Sequence, residues 1–137
     1  MSDTEIERVL YVEDEPDIQA VARVALEAVG GFEVQIYNSG SDAMEHLDEI
    51  QRFNPDVILL DVMMPGMDGP GTLSALRREH HFAETPVIFM TAKVQPHEIA
   101  DFKAMGALDV IPKPFDPMNL STCIKKIWET RPTAVES

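Results

Sequence analysis

Basic residues are scarce in this chain. Eleven Lys and Arg stand against 24 Asp and Glu, a formal net charge of −13 over 137 residues. Surfaces for nucleic acid or anionic membrane are built from clustered Lys and Arg, so this balance argues against both and is compatible with binding a cation. Cysteine is nearly absent too. The single Cys123 excludes an internal disulfide and a zinc site made of several cysteines, and is expected to pack as a small apolar side chain. No apolar run approaches the ~18 residues that span a bilayer. Met1 to Arg8 is polar and acidic, unlike a secretory signal, so a cytoplasmic protein is the expectation. Repeats, low-complexity segments and linkers are missing as well. What is present is 45% hydrophobic and 26% charged residues, as in a soluble globular protein. The length suits one domain over residues 1–137, its core from about 7 to 130, with a frayed tail from Arg131 to Ser137.

The apolar residues fall into five short runs. Val57-Ile58-Leu59-Leu60, bounded by Asn54-Pro55 and Pro65-Gly66, has the pattern of a strand buried on both faces. Val9 to Val12, Phe32 to Ile36, Val87 to Met90 and Ala107 to Ile111 are the others. Helical patterns alternate with them. Pro16 opens the first, in which Ile18, Val21, Ala22, Ala25, Leu26 and Val29 recur at helical spacing before Gly30-Gly31. The second starts near Ser39-Gly40-Ser41-Asp42 and carries Ala43, Leu47 and Ile50 as one stripe up to Phe53-Asn54-Pro55. Helices are also expected from about Gly71 to His80, with Leu73 and Leu76 inward and Arg77-Arg78 outward, from Gln95 to Met105, and from Pro117 to Thr130. Strand and helix in alternation predict an α/β fold, a doubly wound parallel sheet of (βα)5 type in the flavodoxin-like order 2-1-3-4-5 with right-handed crossovers.

Chemistry in such sheets collects at the carboxyl ends of the strands. Those ends carry Glu13-Asp14-Glu15 after the first run, Asp61 after the third, Thr91 after the fourth and Lys113 after the fifth. Asp61 alone would read first as a turn or cap residue. Together with the other three ends it reads as a nucleophile or metal ligand. Close carboxylates repel one another unless a cation lies among them. Hard oxygen donors without His or Cys suit Mg²⁺, and a carboxylate beside that ion can attack a phosphoryl group to give an aspartyl phosphate. The ion, the Lys113 ammonium and the Thr91 hydroxyl would neutralise the phosphoryl oxygens, with Ala92 leaving room for them.

Four blocks carry a resemblance: Val12-Glu13-Asp14-Glu15-Pro16, the stretch from Leu60 to Gly69, Met90-Thr91-Ala92, and Lys113-Pro114-Phe115. In this order and at these separations they resemble the signature blocks of two-component response-regulator receiver domains, over roughly residues 7 to 130. The resemblance implies that Asp61 accepts a phosphoryl group from a phosphohistidine on a sensor histidine kinase or phosphotransfer protein. It implies Mg²⁺ held by Asp14, Asp61 and the backbone carbonyl of Met63, with Glu13 reaching the ion through water. Lys113 would pair with phosphoryl oxygens, Thr91 would swing toward them, and the bond before Pro114 would be cis. Two positions depart from the family pattern. Glu13 stands where Asp is more frequent, and Val110 stands three residues before Lys113, where an aromatic is usual. The expectation is that Thr91 and the loop from Lys93 to His97 carry the signal without that aromatic.

Plainer roles are expected for the remaining residues. Met63, Met64 and Met67 read as packing and loop residues, with Val62 and Met64 the alternative candidates for a surface near the donor histidine. His80-His81 suit a helix end, His46 and His97 an exposed helix face, Asp68 a helix cap, and Lys93 overlooks the site. A flavin carrier on the same fold would need a loop rich in Gly, Ser and Thr after the first strand, where this chain has Glu13-Asp14-Glu15-Pro16, whose three acids would repel a phosphate without a metal. An aspartyl phosphatase would commonly place a second acid where Met63 stands. A degenerate docking receiver is disfavoured by the intact Asp14, Asp61, Thr91 and Lys113. The expected protein is therefore a stand-alone receiver. It is not an enzyme with a separate substrate, though it takes part in its own phosphorylation and dephosphorylation. It would signal by phosphorylation-dependent binding to a downstream protein, without nucleic acid or membrane, as a monomer or weak homodimer.

Overall fold

The strand pattern of the sequence is realised as one parallel sheet in the order β2-β1-β3-β4-β5, in a computed structural model that describes residues 5–132. The strands are β1 Arg8–Val12, β2 Glu33–Tyr37, β3 Val57–Asp61, β4 Val87–Thr91 and β5 Asp109–Pro112. This is the flavodoxin-like order expected. The last five residues of the expected tail lie outside the described residues.

Successive strand residues point to opposite faces. Leu10, Val12, Ile58, Leu60, Val87 and Phe89 enter one apolar cluster, and Val9, Tyr11, Val57, Leu59, Ile88 and Met90 enter the other. Both sets are buried, which is why these strands read as unbroken apolar runs. The first face is covered by α2 (Gly40–Glu45), α3 (Leu47–Phe53), α4 (Gly69–Arg77) and α5 (Pro96–Ala104). The second is covered by α1 (Pro16–Arg23), the π-helical turn Val24–Val29 that continues it, and α6 (Leu120–Trp128). Cys123 packs half-buried against this second cluster.

Helix starts follow local chemistry. Ser39 Oγ accepts the Asp42 N–H at 2.9 Å to cap α2, and Asp68 Oδ1 accepts the Gly71 N–H at 2.8 Å to cap α4. Four expectations need correction. Val21 and Val29 face solvent, leaving Ala22, Ala25 and Leu26 as the buried side of the first helix. Val29 lies in the π turn, where Gly30 N–H reaches back five residues to the Ala25 carbonyl, which also accepts from Ser121 Oγ of α6 at 2.9 Å. A side chain at Gly30 would collide with Ser121, so the end of the π turn sits close on α6 there.

The stripe through Ala43, Leu47 and Ile50 belongs to two helices rather than one. His46 Nδ1 lies 2.7 Å from the Asp42 carbonyl, the acceptor that a continuous helix would have used, and the His46 N–H turns to Ala43 instead. Arg77 is no surface residue: its guanidinium donates to the carbonyls of Phe82 at 2.9 Å and Thr85 at 2.7 Å. The last helix begins at Leu120, three residues later than expected, and buries Leu120, Ile124, Ile127 and Trp128.

Candidate functional site

Register brings the strand ends together. Val12 pairs with Leu60, Asp61 with Met90 and Thr91 with Pro112, so Glu13, Asp61, Thr91 and Lys113 arrive at neighbouring rungs of one edge. Backbone bonds continue past the strands, from Glu13 N–H to Tyr37 O, Val62 N–H to Met90 O and Lys113 N–H to Thr91 O. The start of α4 is pressed onto the end of β3. Gly69 N–H donates to Val62 O at 3.0 Å, and a side chain at Gly69 would meet the Asp61 carbonyl oxygen at 2.7 Å. The Lys113–Pro114 bond is cis.

Glu13 and Asp61 are almost fully enclosed, at 0% and 3% exposure, with Asp14 half-buried beside them. One oxygen from each of the three carboxylates lies within 4.8 Å of the others, the one cluster of three or more potential metal ligands among the described residues. Lys113 Nζ spans two of them, 3.1 Å from Asp61 Oδ1 and 3.2 Å from Glu13 Oε1. Burial pushes the Asp61 carboxyl up, from 3.8 to about 6. The hydrogen bond from Lys113 pulls against that shift and the Glu13 charge adds to it. For Lys113 burial lowers the ammonium pKa, but the bond to Asp61 and the Glu13 charge outweigh burial and leave it raised. Three hard carboxylate donors at this spacing, with a net negative charge even after Lys113 is counted, fit a small divalent cation such as Mg²⁺.

Thr91 ends β4, buried, and its Oγ1 accepts the Lys93 N–H at 3.0 Å, leaving the hydroxyl proton free to donate. Lys93 and Ala92 are exposed beside it. Met63 turns its side chain to solvent at 66% exposure. Val62 and Met64 are buried in the first cluster, so Met64 packs as expected and the alternative of a surface near the donor histidine does not fit. His80 and His81 sit exposed in a short 3-10 turn, His81 beside Asn54 Oδ1. His46 marks the α2–α3 break, and His97 is exposed on α5. Val110 packs in the first cluster together with Phe89 and Phe102.

The site holds one more residue, outside the signature acids, threonine and lysine. Tyr11 reaches up β1 and donates its hydroxyl to Glu13 Oε1 at 2.9 Å. Burial first, then the Glu13 charge, raise its phenol far above the usual range, so it stays a proton donor. The signal was available: Tyr11 and Glu13 are two residues apart and so point the same way.

A parallel sheet of this order, with an acid cluster, a threonine and a lysine on one carboxyl edge, defines a phosphotransfer-type signalling domain. The chain belongs to the response regulator receiver domain family, whose pattern it matches over residues 9–125. Receiver domains are phosphorylated by histidine kinases and bind Mg²⁺ in an acidic pocket. Among its relatives is the regulatory protein AtoC of Escherichia coli, 36% identical over 90% of this chain and 25% of that protein. The transcriptional regulatory protein CpxR of Escherichia coli is 36% identical over 88% of this chain and 48% of that protein. This chain thus spans a quarter to a half of the length of those relatives. The solved structure of the chemotaxis response regulator CheY4 of Vibrio cholerae superposes with a TM-score of 0.78 at 30% identity, covering 90% of this chain and 99% of that one.

Proposed function

We propose that Asp61 is the phosphoacceptor of this receiver domain, taking a phosphoryl group from a phosphohistidine on a sensor histidine kinase or phosphotransfer protein. The observation that carries the reading is the buried Asp61 carboxylate, bridged by Lys113 at 3.1 Å and flanked by two further acids. In the displacement an Asp61 oxygen forms the bond to phosphorus as the phosphorus–nitrogen bond to the donor imidazole breaks, its electron pair leaving on the nitrogen. Lys113, already on Asp61 Oδ1, follows the charge onto the phosphoryl oxygens, and the free proton of Thr91 donates to another. Glu13, Asp14, Asp61 and the Met63 carbonyl are the residues that would hold Mg²⁺. When bound, the ion supplies neutralisation of the charge gathered on the acids and the phosphoryl group. Water attack at phosphorus breaks its bond to the Asp61 oxygen, releases inorganic phosphate and returns the free carboxylate, so the protein acts as a switch on itself rather than as an enzyme with a separate substrate.

The output in this reading is phosphorylation-dependent binding to a downstream protein, by a cytoplasmic stand-alone receiver acting as a monomer or weak homodimer. The near-complete coverage of CheY4 and the net charge of −13 support protein contact over nucleic acid or membrane. A longer regulator with a separate output domain is the competing reading, favoured by the partial coverage of AtoC and CpxR. The mass of the protein made from its own gene decides between them.

Incubation with Mg²⁺ and acetyl phosphate, followed by intact mass, tests the phosphoacceptor. A single phosphoryl adduct is expected in the parent and none in Asp61→Asn; an adduct of equal yield in Asp61→Asn overturns the reading.

A further inference from the structure

We infer that Tyr11 is a positioning residue of this site: through Glu13 its buried hydroxyl holds Lys113 against Asp61. The inference deepens the proposed function and rests on it for the role of Lys113. A glutamate at position 13 carries one more rotatable bond than an aspartate, and fixing such an arm costs conformational freedom. At 0% exposure water cannot anchor its carboxylate, so the neighbouring donors must.

There are three of these. Oε1 accepts from Tyr11 at 2.9 Å and from Lys113 at 3.2 Å, and Oε2 accepts from the Glu15 N–H at 3.2 Å. Lys113 is itself a long, flexible arm. Tyr11 is the short, rigid contact, its ring wholly buried in the second cluster among strand residues. Tyr11 therefore fixes Glu13, and Glu13 fixes the side of Lys113 that Asp61 does not hold. Without the hydroxyl, Oε1 keeps only the ammonium, and the lysine loses its second fixed partner. Groups that orient a ligand carboxylate from behind characteristically change metal affinity about tenfold or more when removed.

The test is a two-by-two set of variants: parent, Tyr11→Phe, Glu13→Asp and the double substitution. Tyr11→Phe removes one oxygen and keeps the ring, and Glu13→Asp withdraws the carboxylate from the hydroxyl. Lys113 ε-methylene resonances are read first, in metal-free protein, and Mg²⁺ is then titrated by calorimetry. Tyr11→Phe is expected to shift the Lys113 resonance and weaken Mg²⁺ binding about tenfold. The same substitution made on Glu13→Asp is expected to change neither. An unmoved Lys113 resonance in Tyr11→Phe overturns the inference, and so does an equal shift in the Glu13→Asp background, which would place the effect in packing. Absence of Mg²⁺ binding by the parent tells against the proposed function instead, and the metal-free resonance still decides the role of Tyr11.

Discussion

A carboxylate as enclosed as Asp61 ionises at a cost, and that cost raises its pKa. Its carboxyl is pushed up to about 6 from 3.8, so the folded chain holds the proton more tightly than the unfolded chain does. The stability this contributes is fully present below the unfolded value of 3.8 and is lost as pH rises through about 6. At neutral pH the ionised, metal-free site is therefore a liability, of about 2–3 kcal/mol for a shift of roughly two units. Asn at position 61 cannot ionise, and Lys113 keeps Glu13 as its partner at 3.2 Å. Asp61→Asn is accordingly expected to gain stability relative to the parent between about pH 4 and about pH 7, by up to that amount. Chemical denaturation without divalent ions at both pH values checks it. A difference that stays flat across the window would mean that Asp61 is not strained by its surroundings.

At the scale of elements, the segment after β4 has a defined link to the site. Thr91 Oγ1 holds the Lys93 N–H at 3.0 Å, so a threonine that moves toward a phosphoryl oxygen carries the backbone of the following loop with it. Position 110, on the neighbouring strand, offers only a valine packed near Phe89 and Phe102. In the proposed reading the loop itself is therefore the route from Asp61 to α5. Addition of beryllofluoride and Mg²⁺, which mimic the phosphoryl group, is expected to shift amide resonances from Ala92 to His97 and along α5. In Thr91→Val those shifts are expected to vanish while shifts around Glu13 and Asp61 persist. Unchanged loop shifts in Thr91→Val would remove Thr91 from the route.

Strands and caps were legible in the sequence because each depends on a contiguous signal: an apolar run, a Ser39 or an Asp68 in front of a helix. The break at His46 was not, because it depends on an imidazole competing with the backbone for the Asp42 carbonyl. Nor was the exposure of Val29 legible, since it lies in a π turn that no residue type marks.

For the whole molecule, 24 acids against 11 bases leave a net charge of −13, and three of the acids converge within one small volume. Their meeting was legible because the order 2-1-3-4-5 sends the ends of β1 and β3 to adjacent rungs. The bridging of Glu13 and Asp61 by Lys113, and the Tyr11 hydroxyl behind Glu13, required side-chain positions that spacing does not encode. A ligand that binds only the folded chain stabilises it by mass action. Mg²⁺ at a hundred times its dissociation constant is expected to add about 2.7 kcal/mol to unfolding stability. The gain is expected to vanish in Asp14→Asn, and an undiminished gain there would locate the ion elsewhere.

The chemistry of the aspartyl phosphate offers the most direct measurement. Borohydride reduces an acyl phosphate to the alcohol, so an aspartyl phosphate becomes homoserine and its position can be found by peptide sequencing in the mass spectrometer. After phosphorylation with Mg²⁺ and acetyl phosphate, homoserine is expected at position 61. Homoserine at another aspartate with none at 61, or a phosphoryl group that resists borohydride, would contradict the assignment of Asp61 as the acceptor.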